Sequence, residues 1–112
     1  MTEIHNNDIT VTRGDSLLFT VRLRGQGLTE GAAALFTVKE KPSSEEAVIG
    51  KTFPVGGEGT VTIYLYPEET NLKAKTYYWD LRLIIPHGDE ANEVRTPMEY
   101  AGFTVLEAIG DA

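Results

Sequence analysis

The stretch GTVTIYLYPEETNLKAKTYYWDLRLII, from Gly59 to Ile85, contains two segments in which apolar and polar residues alternate. Alternation with a period of two places every second side chain on the same face of a β-strand. A polar segment separates these two alternating segments and begins with Pro67, Glu68 and Glu69. Proline and acidic residues are favoured at the start of a helix, so this segment predicts one short helical turn near residues 67–73. The side chains predicted to face inward are Val61, Ile63 and Leu65 in the first segment and Tyr77, Trp79, Leu81 and Leu83 in the second.

The same period continues outside this stretch. Strands are predicted in DITVT, SLLFTVRLR, AALFTVKEK and AGFTVLEA, and turn sequences rich in Gly, Pro and Asp separate them. Two weaker segments, AVIGKTF and NEVRTPM, contain Gly50 and Pro97, which favour edge strands or a bulge. The inward-facing residues predicted here are Ile9, Val11, Leu17, Phe19, Val21, Leu23, Ala34, Phe36, Val38, Phe103 and Val105.

Strands with one apolar face form sheets with one apolar face, and two such sheets bury these faces against each other. The pattern therefore predicts an all-β fold, an immunoglobulin-like antiparallel β-sandwich of seven or eight strands. An open barrel would alternate in the same way and stays an alternative. We predict a single domain over residues 1–112, with a core at about 8–107, a polar N-terminal leader at 1–7 and a short C-terminal tail at 108–112.

The composition of the chain limits the kinds of partner and of site that it is expected to have. Seventeen acidic residues against ten basic ones give a net charge of −7, so nucleic acid and anionic membranes are poor partners. The chain has no cysteine, which excludes disulfides, a thiol nucleophile and thiolate metal sites. No apolar run is long enough to span a bilayer, and the first residues lack the basic and apolar regions of an ordinary secretory signal.

Few residues suggest chemistry. Arg13, Gly14 and Asp15 spell an integrin-binding tripeptide, but Gly-Asp between two alternating segments favours a tight hairpin turn. His5 and His87 are isolated in polar segments, and the acidic pairs lack the ligand spacing of a calcium loop. The sequence therefore predicts no catalytic residue, no metal site and no cofactor, and the protein is not expected to be an enzyme.

The aromatic triplet Tyr77-Tyr78-Trp79 could bind a partner or could pack in the core of the fold. Trp79 is predicted to fill the centre of the core. Tyr77 opens its strand just after a crossover, where a tyrosine corner has its ring buried and its hydroxyl bonded to the backbone upstream. Tyr78 alone is left to contact a partner. The outward-facing residues of possible partner contact are Leu18, Leu35, Tyr64, Tyr66 and Tyr78. They fit plain strand surface, a protein interface or a carbohydrate platform.

Four short motifs lie along the chain: a Gly-Asp turn, G-x-V-x-x-x-L-x-x-x-x-T, Y-x-x-D-L and a final strand that reads G-F-x-V. The matching residues are Gly14 and Asp15; Gly59, Val61, Leu65 and Thr70; Tyr77 or Tyr78, Asp80 and Leu81; and Gly102, Phe103 and Val105. In these motifs the chain resembles the small immunoglobulin-like domains of tailed bacteriophages and prophages, in particular the N-terminal domain of phage baseplate upper proteins. The resemblance covers about residues 8–107. It departs at LKAKT, where a glycine is usual before the tyrosine strand.

The resemblance implies a non-enzymatic virion structural module of a phage or prophage tail or baseplate, acting through protein–protein contacts. Its implied partners are other virion or tail proteins, or further copies of itself, and its implied location is the bacterial host cytoplasm during assembly and then the virion. No active-site residue is carried over. A carbohydrate-binding or adhesion β-sandwich module is the alternative.

Overall fold

In the computed structural model, the structure describes residues 2–5, 7–23, 31–56 and 59–110. These residues form an all-β protein with nine strands and no helix. The strands are β1 (Thr2–His5), β2 (Asp8–Thr12), β3 (Leu17–Arg22), β4 (Ala33–Lys39), β5 (Ile49–Pro54), β6 (Thr60–Leu65), β7 (Lys75–His87), β8 (Glu90–Arg95) and β9 (Ala101–Leu106).

The strands form two sheets of very different width. The large sheet has the order β1-β2-β9-β7-β4-β5, with β8 added on β7, and the small sheet contains only β3 and β6. Every inward-facing residue of the predicted core is buried, except Phe19 and Val21 of β3, which are half-buried. The predicted all-β, two-sheet sandwich is therefore confirmed.

The ninth strand comes from the predicted leader. β1 pairs antiparallel with β2, and Asn7 in the connecting turn has a φ of 70°. Thr2–His5 has one large apolar residue, Ile4, so it shows none of the alternation by which the other strands are recognised. β1 therefore brings the number of strands to one more than the upper predicted number, eight.

β2 and β9 pair in parallel, with Ile9 opposite Phe103 and Val11 opposite Val105. The prediction of a wholly antiparallel sandwich is therefore wrong for this pair, and the large sheet is mixed. The Arg13-Gly14-Asp15 turn carries the chain from β2 in the large sheet to β3 in the small one, so β2 does not pair with the strand that follows it. Gly14 has the expected positive φ, 83°, and the backbone N–H of Asp15 donates to the Thr12 carbonyl over 2.9 Å. It does not form the predicted hairpin, because its two strands lie in different sheets.

β7 is the longest strand and has neighbours on both sides. β4 pairs along its middle, β9 pairs with its first five residues, Lys75 to Trp79, and β8 pairs near its end from Leu83 onwards. β8 and β9 therefore lie one after the other along the same edge of β7. The two weaker segments form β5, which contains Gly50, and β8, which ends shortly before Pro97. Both are edge strands, as predicted.

The predicted helical turn near 67–73 is a single hydrogen-bonded turn at residues 67–70. The N–H groups of Glu69 and Thr70 both donate to the Tyr66 carbonyl, over 2.9 and 3.3 Å. Thr70 is fully buried, and its hydroxyl lies 2.6 Å from the Asp15 carbonyl oxygen. This contact ties the β6–β7 connection to the β2–β3 turn, so two of the motif segments support each other directly.

The triplet at the start of β7 is packed as predicted. Trp79 contacts Phe19 and Phe36 at ring-centroid distances of 6.0 and 5.4 Å, and its Nε1–H donates to the Asn7 carbonyl over 2.9 Å. The Tyr77 ring is buried, and its hydroxyl donates to the Lys73 carbonyl over 2.7 Å. Burial also raises the pKa of the Tyr77 phenol. Both predictions, a core tryptophan and a tyrosine hydroxyl bonded upstream, are confirmed.

Candidate functional site: two interaction surfaces

The first surface is the outer face of the small sheet, formed by Leu18, Tyr64 and Tyr66 and called here the Tyr64 face. Leu18 on β3 lies directly opposite Tyr64 on β6. The three side chains are 71%, 41% and 52% exposed, respectively. The rings of Tyr64 and Tyr66 meet edge to face with centroids 5.5 Å apart. Apolar and aromatic area is therefore held outward in a defined shape, as at protein interfaces.

Lys51 of β5 organises this face from the neighbouring sheet. Its Nζ lies 4.4 Å from the centre of the Tyr64 ring, 4.7 Å from that of Tyr66 and 5.4 Å from that of Phe53. The same ammonium donates to the Tyr64 carbonyl and to Glu69 Oε1, each over 2.9 Å. Sequence analysis missed Lys51 and Glu69, because no local pattern connects a residue of one sheet to rings of the other.

Glu69 completes the cluster from the turn after β6. Its Oε1 also accepts the Tyr66 N–H over 2.8 Å. Partial burial is the largest single influence on the Glu69 pKa and raises it. The hydrogen bond from Tyr66, and the hydrogen bond and charge of Lys51, together outweigh burial and hold the pKa below its ordinary value. The carboxylate is thus a fixed charged partner for Lys51.

Leu35 and Tyr78 lie elsewhere, on the outer face of the large sheet. Both are half-buried and line a shallow groove with Tyr100, Lys39 and Arg82, called here the Tyr78 groove. The rings of Tyr78 and Tyr100 meet edge to face at 5.8 Å. The five residues predicted for partner contact therefore form two surfaces, because β3 and β6 are in one sheet and β4 and β7 are in the other.

The glycine of the final motif lies on the strand next to Tyr78. Gly102 lies opposite Tyr78 in the β7–β9 ladder. A Cβ atom at Gly102 would lie 3.2 Å from Asp8 Oδ1, which accepts the Gly102 N–H over 2.8 Å. The motif glycine is therefore explained by the close approach of the Asp8 carboxylate.

Arg13 of the integrin-like tripeptide forms hydrogen bonds with other parts of the fold. The Arg13 Nε donates to Asn71 Oδ1 over 2.9 Å, and its Nη1 lies 3.4 Å from Glu107 Oε1. The Arg13 N–H donates to the Leu106 carbonyl over 2.8 Å. Arg13 thus connects the β2–β3 turn to the end of β9 and to the segment that precedes β7.

His87, Glu93 and Arg95 form a cluster of charged and polar side chains on the surface. His87 Nε2 lies 2.9 Å from Glu93 Oε1, and Arg95 bonds to the other oxygen of the same carboxylate. The hydrogen bonds from Arg95 and then His87 lower the Glu93 pKa. The side chain of His5 lies outside the described residues. Within the described ranges, no group of three or more His, Asp or Glu side chains is arranged to hold a metal ion.

Comparison of the chain with protein-family models gives no match, and comparison with curated proteins gives none either. In the part of the chain that the structure describes, no helix is long and apolar enough to cross a membrane.

Proposed function

We propose that the chain is a non-enzymatic structural module of a phage or prophage tail or baseplate, and that it acts through protein–protein contacts. The observation that carries the proposal is the Tyr64 face. Its two tyrosines and Leu18 are exposed, yet Lys51 and Glu69 hold the tyrosines in one arrangement. Pre-positioned aromatic side chains lose little conformational entropy on binding, which favours their use as interface anchors. The resemblance in the four motifs supplies the virion setting.

The first test is abundance in particles. Phage-like particles from the induced source strain would be purified and their proteins quantified by mass spectrometry. The proposal expects this chain in a fixed ratio to a known tail protein. Its absence from intact particles would overturn the virion role.

The second test concerns the surface. Leu18→Asp places a charge on the Tyr64 face, where contact with a partner would bury it at high cost. Val94→Asp is the matched control, because Val94 is 57% exposed but belongs to β8 in the large sheet. We expect Leu18→Asp to reduce incorporation into particles at least about tenfold, a loss of about 1.4 kcal/mol in binding, and Val94→Asp to leave it unchanged. Equal incorporation of both variants would exclude the Tyr64 face as the contact.

A carbohydrate-binding module is the second candidate, and the Tyr78 groove favours it. There, two aromatic rings lie beside Lys39, Asp80 and Arg82, a combination of apolar faces and polar groups that suits a sugar ring. A glycan array with wild type and Tyr78→Ala tests it. Specific binding by wild type that Tyr78→Ala abolishes would establish this role in place of the first.

A further inference from the structure

The two edges of the small sheet differ in how their backbone groups are used. The Leu23 N–H donates to the Gly59 carbonyl over 2.8 Å, which continues the β3–β6 ladder by one pair. Hydrogen-bonded pairs alternate along an antiparallel ladder. The backbone groups of Leu17, Phe19 and Val21 therefore point toward β6, and those of Leu18, Thr20 and Arg22 point away from it. By the same alternation, Thr60, Thr62 and Tyr64 point away from β3.

The outer edge of β6 is occupied in part by its own chain. The Thr60 carbonyl accepts the Gly56 N–H over 2.7 Å, and the Tyr64 carbonyl accepts Lys51 Nζ over 2.9 Å. These two bonds also confirm the direction assigned to the β6 backbone groups. A lysine on an edge strand is a known means of blocking edge-to-edge pairing.

The outer edge of β3 has no such cover within the described ranges. No described residue hydrogen-bonds the outward N–H or C=O groups of Leu18, Thr20 and Arg22. Beside this edge, the half-buried side chains of Phe19 and Val21 form the rim of an opening between the sheets. The opening is also lined by Ile4, Trp79, Leu81, Pro97 and Met98. An edge that offers backbone groups next to apolar side chains can accept an added strand.

We propose that the β3 edge pairs with the β3 edge of a second copy, antiparallel about Thr20, to form a continuous four-stranded sheet β6-β3-β3-β6. The inference rests on the proposed role in protein–protein contact and names the partner for one edge. In this register Thr20 faces Thr20, and Leu18 faces Arg22 of the other copy. All three outward residues of each strand are then used, which gives six backbone hydrogen bonds across the dyad.

Charge and shape favour this register over its alternatives. Centring the pair on Arg22 would oppose two guanidinium groups, and centring it on Leu18 would use fewer backbone groups. About Thr20, the two Arg22 residues are four residues apart along the strands, roughly 14 Å, beyond the screening length at physiological salt. On the inner face, Phe19 meets Val21 of the other copy, so that both half-buried side chains gain cover.

The buried area and the net charge determine how strongly the two copies are expected to associate. A standard interface buries about 800 Å² per partner. That is about a ninth of the accessible surface of 7162 Å². One strand edge and its rim cover less than this, so we expect a weak dimer that dissociates on dilution. Each copy carries a net charge of −7, so added salt should strengthen the dimer. An interface held by ion pairs would show the opposite trend.

Analytical ultracentrifugation from about 10 µM to about 1 mM protein tests the pairing. We expect the mass to rise from 12.3 kDa toward twice that value, and more readily as salt is raised. Thr20→Pro removes an outward N–H and should raise the dissociation constant at least about tenfold. Thr62→Pro is the matched control: Thr62 lies directly opposite Thr20, and its N–H points to the other edge. A wild type that stays monomeric over this range, or equal weakening of the dimer by both variants, would overturn the proposal.

Cysteine cross-linking tests the register and does not depend on tolerance of proline. The chain has no cysteine, so each introduced thiol is the only one. Thr20→Cys places two Cα atoms about 5.5 Å apart across the dyad, within reach of a disulfide. Thr20→Cys should form a covalent dimer, Leu18→Cys alone should not, and a mixture of Leu18→Cys and Arg22→Cys should. Linkage of Thr62→Cys, or none of Thr20→Cys, would overturn the pairing. Either result leaves the particle test of the virion role unaffected, so the two failures are distinguishable.

Discussion

Lys51 Nζ lies 4.4 Å from the centre of the Tyr64 ring and donates a hydrogen bond to the carbonyl oxygen of the same residue. One ammonium group therefore holds both the side chain and the backbone of Tyr64. Because Lys51 belongs to β5 and Tyr64 to β6, the contact joins the edges of the two sheets. The exposed tyrosines of the Tyr64 face owe their arrangement to a residue in the other sheet.

Removing the Lys51 charge should loosen this junction. Lys51→Met keeps the length of the side chain but removes its hydrogen bonds and the positive charge over the rings, and we expect the free energy of unfolding to fall by about 1–2 kcal/mol. The control is Lys73→Met, since the Lys73 side chain is exposed. It should change stability by less than about 0.5 kcal/mol. Urea denaturation followed by Trp79 fluorescence gives both values, and equal effects would contradict the role of Lys51.

Acid should weaken the same cluster through Glu69. Its pKa is lowered in the folded protein from an ordinary value of 4.5, so the carboxylate form favours the folded state. This contribution is fully present above pH 4.5 and is lost as the pH falls through the lower folded pKa. Wild type should therefore exceed Glu69→Gln in stability at neutral pH, and the difference should shrink toward zero in acid. Denaturation midpoints over a pH series test this. Glu68→Gln, at the exposed neighbouring position, should follow wild type, and a difference independent of pH would refute the assignment.

The Tyr77 hydroxyl should contribute measurably to stability. Tyr77→Phe leaves the Lys73 carbonyl without its donor, and we expect a loss of about 1 kcal/mol. Tyr78→Phe is the matched control, because the Tyr78 hydroxyl has no hydrogen-bond partner among the described residues. Thermal and chemical denaturation of the two variants should differ by that amount. Similar stability of both would show that the Tyr77 bond is replaced by water at no cost.

Trp79 should behave as a core residue in both stability and spectroscopy. It is 4% exposed and contacts two phenylalanine rings, so Trp79→Ala should cost about 3–5 kcal/mol. As the only tryptophan, it reports directly on its surroundings. Its emission should be shifted to the blue and resist quenching by iodide in the native protein. Emission typical of water in a folded sample would contradict the packing.

Thr70 tests the link between the two motif segments. Thr70→Val keeps the shape but leaves the Asp15 carbonyl without its hydroxyl donor in a buried site, which should cost about 1–3 kcal/mol. Thr62→Val replaces an exposed strand threonine and should be neutral within about 0.5 kcal/mol. Equal midpoints in urea would show that the Thr70 hydroxyl carries no stability.

The alternation of apolar and polar residues predicted which side of each strand faces the core. It could do so because every second residue of such a strand is buried, and this pattern is visible within a few neighbouring residues. Val61, Trp79 and Phe103 all lie where the pattern placed them. Local pattern carries no information on which strands share a sheet. For that reason Leu18 and Leu35 were expected on one surface, although they lie on different sheets.

Long-range partners were also beyond the reach of the sequence. The parallel pairing of β2 with β9 joins residues more than ninety positions apart, and the Lys51–Glu69 pair joins β5 of the large sheet to the turn after β6. Neither contact is marked in the sequence by a repeating pattern or by a local motif. Tyr77 is the exception: its partner lies four residues upstream, and the position of the tyrosine at the start of a strand was enough to predict the bond.

The parallel pairing of β2 and β9 has a mechanical consequence. A stretching force applied through β1 and β9 would first unzip the β1–β2 hairpin, one bond at a time, and then pull on Asp8 at the start of β2. Because β2 and β9 run in the same direction, that force and the opposing force at Leu106 act on opposite ends of their ladder. The evenly spaced bonds between them are then loaded in shear and must yield together. The fold thus has a tension-bearing joint where the first and last strands of its core meet.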